Sequence, residues 1–189
     1  MKAIIFLADG FETAEALLTK DLLERANIKC DLCSVTDNIR VNSSQKVEIY
    51  CDNMIKSIDF DEYDCLILPG GSIGVEGFYK SKKLQLGLIN ANNNGKLIAA
   101  ICAAPAYLGS IKLLNNRAFT CFPGFEKGIT KGIYKNDRVV VDANLITAKA
   151  MGVTVEFSKE IITYLKDSIT ANEVLDKVYY AKIEKELAN

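Results

Sequence analysis

The sequence predicts an α/β domain built on a mainly parallel sheet with helices on both faces, and two observations carry this. Short continuous apolar runs, "KAIIFLA", "CLIL" and "KLIAAIC", alternate with stretches whose apolar residues recur at helical spacing. A strand without polar alternation is buried on both sides, which requires helices above and below the sheet. At 189 residues, 49% of them hydrophobic, the chain has the size of one such domain with its own core, read as spanning 1–189.

Taken in order, "KAIIFLA" is a buried strand, and in the helix after it Ala14, Leu17, Leu18, Leu22 and Ala26 fall on one face. "IKCDLCSV" is a second strand, "VEIYC" a piece of edge or hairpin, and "DCLILPGG" a third core strand ending in a glycine turn. A helix from about Ser81 to Asn92 carries Leu84, Leu88 and Ile89, and the asparagines and Gly95 that follow are its stop. "KLIAAIC" is the next buried strand, with a helix after Cys102 to about Leu114. Strands near "RAFTCF", "RVVVD" and "LITAKA" precede two C-terminal helices. The last opens with Thr170 and Glu173, the spacing of a capping box, and turns Val174, Leu175, Val178 and Ile183 inward.

Composition excludes several chemistries. The formal net charge is −1 and the charges are interspersed, so no footprint for nucleic acid or an anionic membrane is present; a small-molecule or protein partner is expected. The opening "MKAIIFLADG" is too short an apolar run for a signal segment or a membrane span, so a cytoplasmic location is expected. There is no histidine, which rules out Cys-His and Ser-His-Asp arrangements within the chain and zinc sites with His ligands. The six cysteines are expected to stay reduced. Cys30 and Cys33 form a C-x-x-C in a strand, where positions three apart project to opposite faces; with Cys65 they are read as packing residues, and no metal is expected. Cys51 and Cys121 are expected to be partly exposed.

In an open parallel sheet, ligands bind beyond the carboxyl ends of the strands. Three segments end there: "ADGFETAE", "LPGGSIGVEG" and "CAAP". Small residues flank Cys102, and Pro105 suits the first turn of a helix, so the thiol sits at a helix N-terminus that favours the thiolate and should hold its pKa well under the free value of about 8.5. The alternative is an inert buried cysteine. "LPGG" is either a backbone cradle for an anion or an ordinary strand-end turn. Glu12 and Glu15 either serve the helix dipole or, if aimed at the cysteine, act as functional carboxyls.

Together "FLADGFETAEALLTKDLLERANIK", "YDCLILPGG", "LIAAICAAPA" and "LITAKAMG" resemble the ThiJ/PfpI superfamily, in particular the branch that contains the parkinsonism-associated deglycases and their bacterial relatives. The resemblance implies a flavodoxin-like, class I glutamine amidotransferase-like three-layer sandwich, commonly a homodimer. Cys102 matches the family's reactive cysteine at a nucleophile elbow. Glu15 matches its buried acidic partner, held protonated beside a thiolate. Gly70, Gly71 and Ala103 match the oxyanion and substrate-binding positions, through the backbone N–H groups of Gly71 and Ala103. The chain departs from the family at several places. Ala103 stands where protease-like branches have histidine. Phe122 stands where some relatives have a nearby histidine. Ala150-Met151-Gly152, preceded by Lys149, replaces the Gly-Pro-Gly segment over the site, so Phe122, Lys149 and Met151 are candidate pocket residues.

The resemblance implies a cofactor-independent glyoxalase III or protein deglycase in which Cys102 adds to methylglyoxal, glyoxal or their adducts and Glu15 shuttles the proton. The alternative is a redox sensor or chaperone governed by oxidation of Cys102.

Overall fold

In the computed structural model, which describes residues 1–180, the first half of the chain runs β1 (Lys2–Leu7), α1 (Thr13–Arg25), β2 (Lys29–Ser34), β3 (Arg40–Asn42), β4 (Glu48–Tyr50), β5 (Asn53–Met54), β6 (Cys65–Leu68), α2 (Ser72–Lys80) and α3 (Lys82–Asn93). The second half runs β7 (Leu97–Ile101), α4 (Ala104–Ser110), β8 (Ala118–Phe119), β9 (Ile133–Tyr134), β10 (Val139–Asp142), β11 (Leu145–Ala148), α5 (Thr154–Leu165) and α6 (Ser168–Lys177). Seven strands form the main sheet in the order β10-β11-β7-β6-β1-β2-β5, parallel except for β10 against β11. The chain builds outward from β1 through β2 to β5, then returns to the other side of β1 with β6 and continues to β7. That reversal leaves a crevice over the carboxyl ends of β1 and β6, the place where such sheets bind ligands.

Side chains alternate across each strand, so the sheet has two cores. Ile5, Leu7, Ala99 and Ile101 pack with Leu22 and Leu23 of α1, Phe157 and Ile161 of α5 and Val174 of α6. Ile4, Phe6, Ile98 and Ala100 pack with Phe78 of α2, Leu84 and Leu88 of α3 and Tyr107 and Leu108 of α4. Cys30 and Cys65 lie in the first core and Cys33 in the second, so the C-x-x-C pair does face opposite ways.

The buried face of α1 differs from the apolar stripe in the sequence. Glu15, Ala16, Thr19, Leu22 and Leu23 point inward, while Leu18 is 36% exposed. Counting apolar residues hid two polar ones on the core side; Thr19 meets Ser158 of α5 at 3.3 Å. Helix α2 was legible only as a glycine turn, since Gly74 and Gly77 weaken helix propensity. Packing overrides that: a Cβ at Gly77 would lie 2.4 Å from that of Ala8. Helix α4 stops at Ser110 rather than near Leu114. "RAFTCF" supplies only β8, paired with β9 in a small separate sheet. Helix α6 begins at Ser168, capped by Asp167, whose carboxylate accepts from Thr170 N–H at 2.7 Å; the Thr170/Glu173 spacing is not the cap. Val174 and Leu175 are buried as expected, and Ile183 lies outside the described residues. Cys51 and Cys121 are buried, at 2% and 0% exposure, rather than partly exposed, because their side chains join the hydrophobic cores, Cys51 the first and Cys121 the second.

Phe157 is fully buried between the sheet and α1. Phe157→Ala is expected to cost about 3–5 kcal/mol, read from urea unfolding; a loss under about 1 kcal/mol would place this core elsewhere.

Candidate active site

Cys102 follows β7 directly and has φ +64°, the left-handed region that a non-glycine residue rarely adopts, at a cost of roughly 1–2 kcal/mol. Two backbone hydrogen bonds hold it there. Its N–H donates to the Ala148 carbonyl at 3.0 Å, and its own carbonyl accepts from Phe122 N–H at 2.8 Å. The turn aims the thiol into the crevice, away from the line of the strand. Cys102 is the one cysteine of the six that is not fully buried.

Glu15 is completely buried beneath it. One carboxyl oxygen, Oε2, accepts from Gly70 N–H at 2.7 Å; the other, Oε1, has no hydrogen-bond partner among the described residues, and the carboxyl as a whole interacts with the Cys102 thiol. Gly70 is the contact between the two groups. A Cβ there would lie 2.5 Å from the Cys102 Cβ and 2.8 Å from Glu15 Oε2, so no other residue fits. Gly71 has φ +90°, and its N–H and that of Ala103 lie near enough to the Cys102 sulfur to favour its charged form. Gly70, Gly71, Ala103, Glu15 and Cys102, drawn from three separate segments, are therefore gathered within contact of one sulfur atom.

The electrostatics differ from the expectation of a simply lowered thiol pKa. Burial, and then the charge of Glu15, push Cys102 up to about 12, against the pull of the Gly71 and Ala103 amides. Burial raises Glu15 to about 7, against the Gly70 hydrogen bond. Helix α4, only seven residues long, does not offset the desolvation. The two groups behave as a pair. It gives up its first proton near neutrality and resists the second, since two negative charges in one dry site repel. A thiolate forms there when Glu15 carries the proton.

A cleft of about 360 Å³ opens above the sulfur, lined by Gly10, Glu12, Ser44, Gln45, Ile73 and Phe122, with Phe125 packed against Phe122. Ser44 and Gln45 come from the β3–β4 hairpin, docked on the first loop through Ser44 N–H to the Phe11 carbonyl at 2.8 Å. The sequence pattern does not mark Ser44 or Gln45; Ser72 and Ile73 lie in the "LPGGSIGVEG" segment without being singled out, and Phe125, three residues beyond Phe122, carries a local signal. Phe122 lines the cleft. Lys149 and Met151 do not: Lys149 Nζ donates to Asn136 Oδ1 at 2.5 Å, and Met151 stands 54% exposed at the start of the turn into α5. A larger hollow of about 570 Å³ beside α2 is lined by Asp9, Asp37, Lys80 and Lys82, among others, and holds no nucleophile of this kind.

The family model described as the DJ-1/PfpI family matches residues 1–164. The chain belongs to the DJ-1/PfpI family. It is similar to DJ-1beta of Drosophila melanogaster, 32% identical over 91% of this chain and 93% of that one. Identity to DJ-1 homolog B of Arabidopsis thaliana is 33% over 84% of this chain, which spans only 36% of that longer protein. A protein named a deglycase from Pyrococcus abyssi is 26% identical over 88% of this chain and all of that one. Among solved structures, oxidised DJ-1 of Toxoplasma gondii superposes with a TM-score of 0.92 at 30% identity, covering 95% of this chain and 98% of that one. The flavodoxin-like sandwich of this family is the fold described above.

Two outcomes follow from the paired site. Iodoacetamide labelling of Cys102 should rise with an inflection near pH 7, and Glu15→Gln should move it upward, because the variant can lose its first proton only from sulfur; an unmoved inflection would separate the two groups. Glu15 is raised from 4.5 to about 7, so the folded state holds the proton more tightly and stability falls as pH rises through that window. The fall is of order 3 kcal/mol and should be absent from Glu15→Gln, measured by urea unfolding at pH 4.5 and 7.5.

Proposed function

We propose that the chain is a cofactor-independent enzyme of the glyoxalase III or deglycase type acting on 2-oxoaldehydes and their adducts. The observation that carries this is the fully buried Glu15, its carboxyl meeting a partly exposed thiol held in a left-handed turn. The family's deglycase-named member from Pyrococcus abyssi supports the same reading.

Sulfur attacks the aldehyde carbon, forming a C–S bond while the carbonyl oxygen takes the electron pair and a proton, which gives a hemithioacetal. The Gly71 and Ala103 amides, spent on the sulfur at rest, become available to that oxygen once sulfur is a neutral thioether. Glu15 then removes the proton from the former aldehyde carbon and returns one to the neighbouring carbon, while the hydroxyl proton passes from the first oxygen to the second, leaving a thioester of the 2-hydroxy acid. Water cleaves the thioester and restores the thiol. Methylglyoxal plus water thus gives lactate, and the electrons are rearranged within the substrate with no external oxidant or reductant.

A second reading rests on the same sulfur. One structural neighbour is an oxidised DJ-1, and here the amides of Gly71 and Ala103 and a protonated Glu15 would receive the oxygens of a Cys102 sulfinate. In that reading Cys102 is a redox sensor, and turnover is negligible. We also take the active form to be a cytoplasmic homodimer, in which a second copy would cover exposed Met151; light scattering giving one chain mass at micromolar concentration would argue against it.

Lactate formed from methylglyoxal by the purified protein tests the enzyme directly. Cys102→Ser should abolish turnover, and Glu15→Gln should lower kcat by about 10²–10⁴. Negligible wild-type turnover, with peroxide oxidation confined to Cys102, would favour the sensor.

A further inference from the structure

Every ionisable group at the cleft has the same sign. Glu12 lines its wall, Cys102 forms its floor and Glu15 lies beneath; among the described residues no lysine or arginine lines it. Glu12 is fixed in place. It is the residue before α1, its N–H donates to the Gly70 carbonyl at 3.0 Å, and its Oε2 accepts from the Ser44 hydroxyl at 3.3 Å. Its charge also adds to the burial that raises Glu15, so it acts electrically on the reacting pair. A carboxylate at the first turn of a helix serves the dipole wherever it points. This one, however, is turned across the loop to Ser44 and so faces the space that a substrate would enter.

We infer that Glu12 is a charge filter, which admits neutral and cationic carbonyl compounds to Cys102 and turns away anionic ones. Assigning a substrate class in this way rests on the enzyme reading above. Within it, short neutral 2-oxoaldehydes and aldehyde adducts on amino or guanidino groups are accepted, and oxoaldehydes bearing a carboxylate or phosphate are rejected. In a cleft of about 360 Å³, an anionic substituent on a short substrate cannot move far from Glu12 while its aldehyde is at sulfur. Like charges in a partly desolvated site repel strongly enough to change rates by about tenfold or more. The aromatic and aliphatic side of the wall, Phe122, Phe125 and Ile73, offers contact without charge.

Two near-isosteric reagents test the filter without any turnover. Iodoacetamide is neutral and iodoacetate anionic; the rates at which each alkylates Cys102 in the full chain are followed by mass spectrometry at low salt, and their ratio is divided by that of a free cysteine peptide. The wild-type protein should prefer iodoacetamide by about tenfold beyond the peptide. Glu12→Gln should cut that preference at least about threefold, and Glu12→Lys further still; a change in the reactivity of the pair scales both rates alike and cancels in the ratio, and circular dichroism shows that each variant is folded. A wild-type preference equal to the peptide's, or one unchanged in both variants, overturns the inference. In turnover, 4,5-dioxopentanoate should have a lower kcat/KM than its uncharged amide, chiefly through KM, and Glu12→Gln should narrow the gap. Equal values in the wild-type protein would again overturn it. Because alkylation needs no catalysis, failure of the filter and failure of the enzyme reading are seen separately.

Discussion

The site depends on the approach of the Gly70 backbone to both Cys102 and Glu15. A single hydrogen atom in place of a side chain lets β6 end within contact of the sulfur and of the carboxyl, with the Gly70 amide holding Glu15 at 2.7 Å. The next residue, Gly71, turns through φ +90°, and its amide also lies near the sulfur. Three loops from three strands are thereby closed on one another. The strain at Cys102 is tolerable because β11 and the Phe122 segment each hold its backbone by a hydrogen bond.

This closeness explains why the thiol cannot be treated alone. A helix end and two amides would by themselves favour a thiolate. Burying a carboxyl beside it changes the outcome, since desolvation raises both groups and their charges oppose each other. Near neutrality the pair exchanges its first proton and holds the second, which suits the proposed reaction, in which it would first supply a nucleophile and then move a proton between adjacent carbons. The same property would make the sulfur oxidisable, so reactivity by itself does not separate an enzyme from a sensor.

The β3–β4 hairpin and α2 supply part of the cleft wall. The hairpin brings Ser44 and Gln45 against Glu12, and α2 brings Ile73 to the lip of the cleft. Neither element places a lysine or arginine in the cleft wall among the described residues. The cleft is thus acidic on one side and apolar on the other, a division produced by loops that are distant in sequence.

The layered α/β fold is legible in the amino-acid pattern alone, because buried strands must read as unbroken apolar runs and amphipathic helices must repeat near 3.6 residues. The same pattern marks the three segments at the carboxyl ends of the strands and Cys102 among small residues. The absence of histidine removed a whole set of mechanisms. Tertiary structure decided the rest. Glu15 and Thr19 look like surface residues in a stripe of leucines, and only the rotation of α1 against α5 turns them inward. Helix α2 contradicts its own glycines because contact with Ala8 leaves no room for larger residues. The membership of the cleft, with Ser44 and Gln45 in it and Lys149 and Met151 outside it, is fixed by how loops pack across the sheet. Local pattern records which face of an element is apolar; it carries no information about which distant loop will cover a given atom, and pKa values depend on that covering.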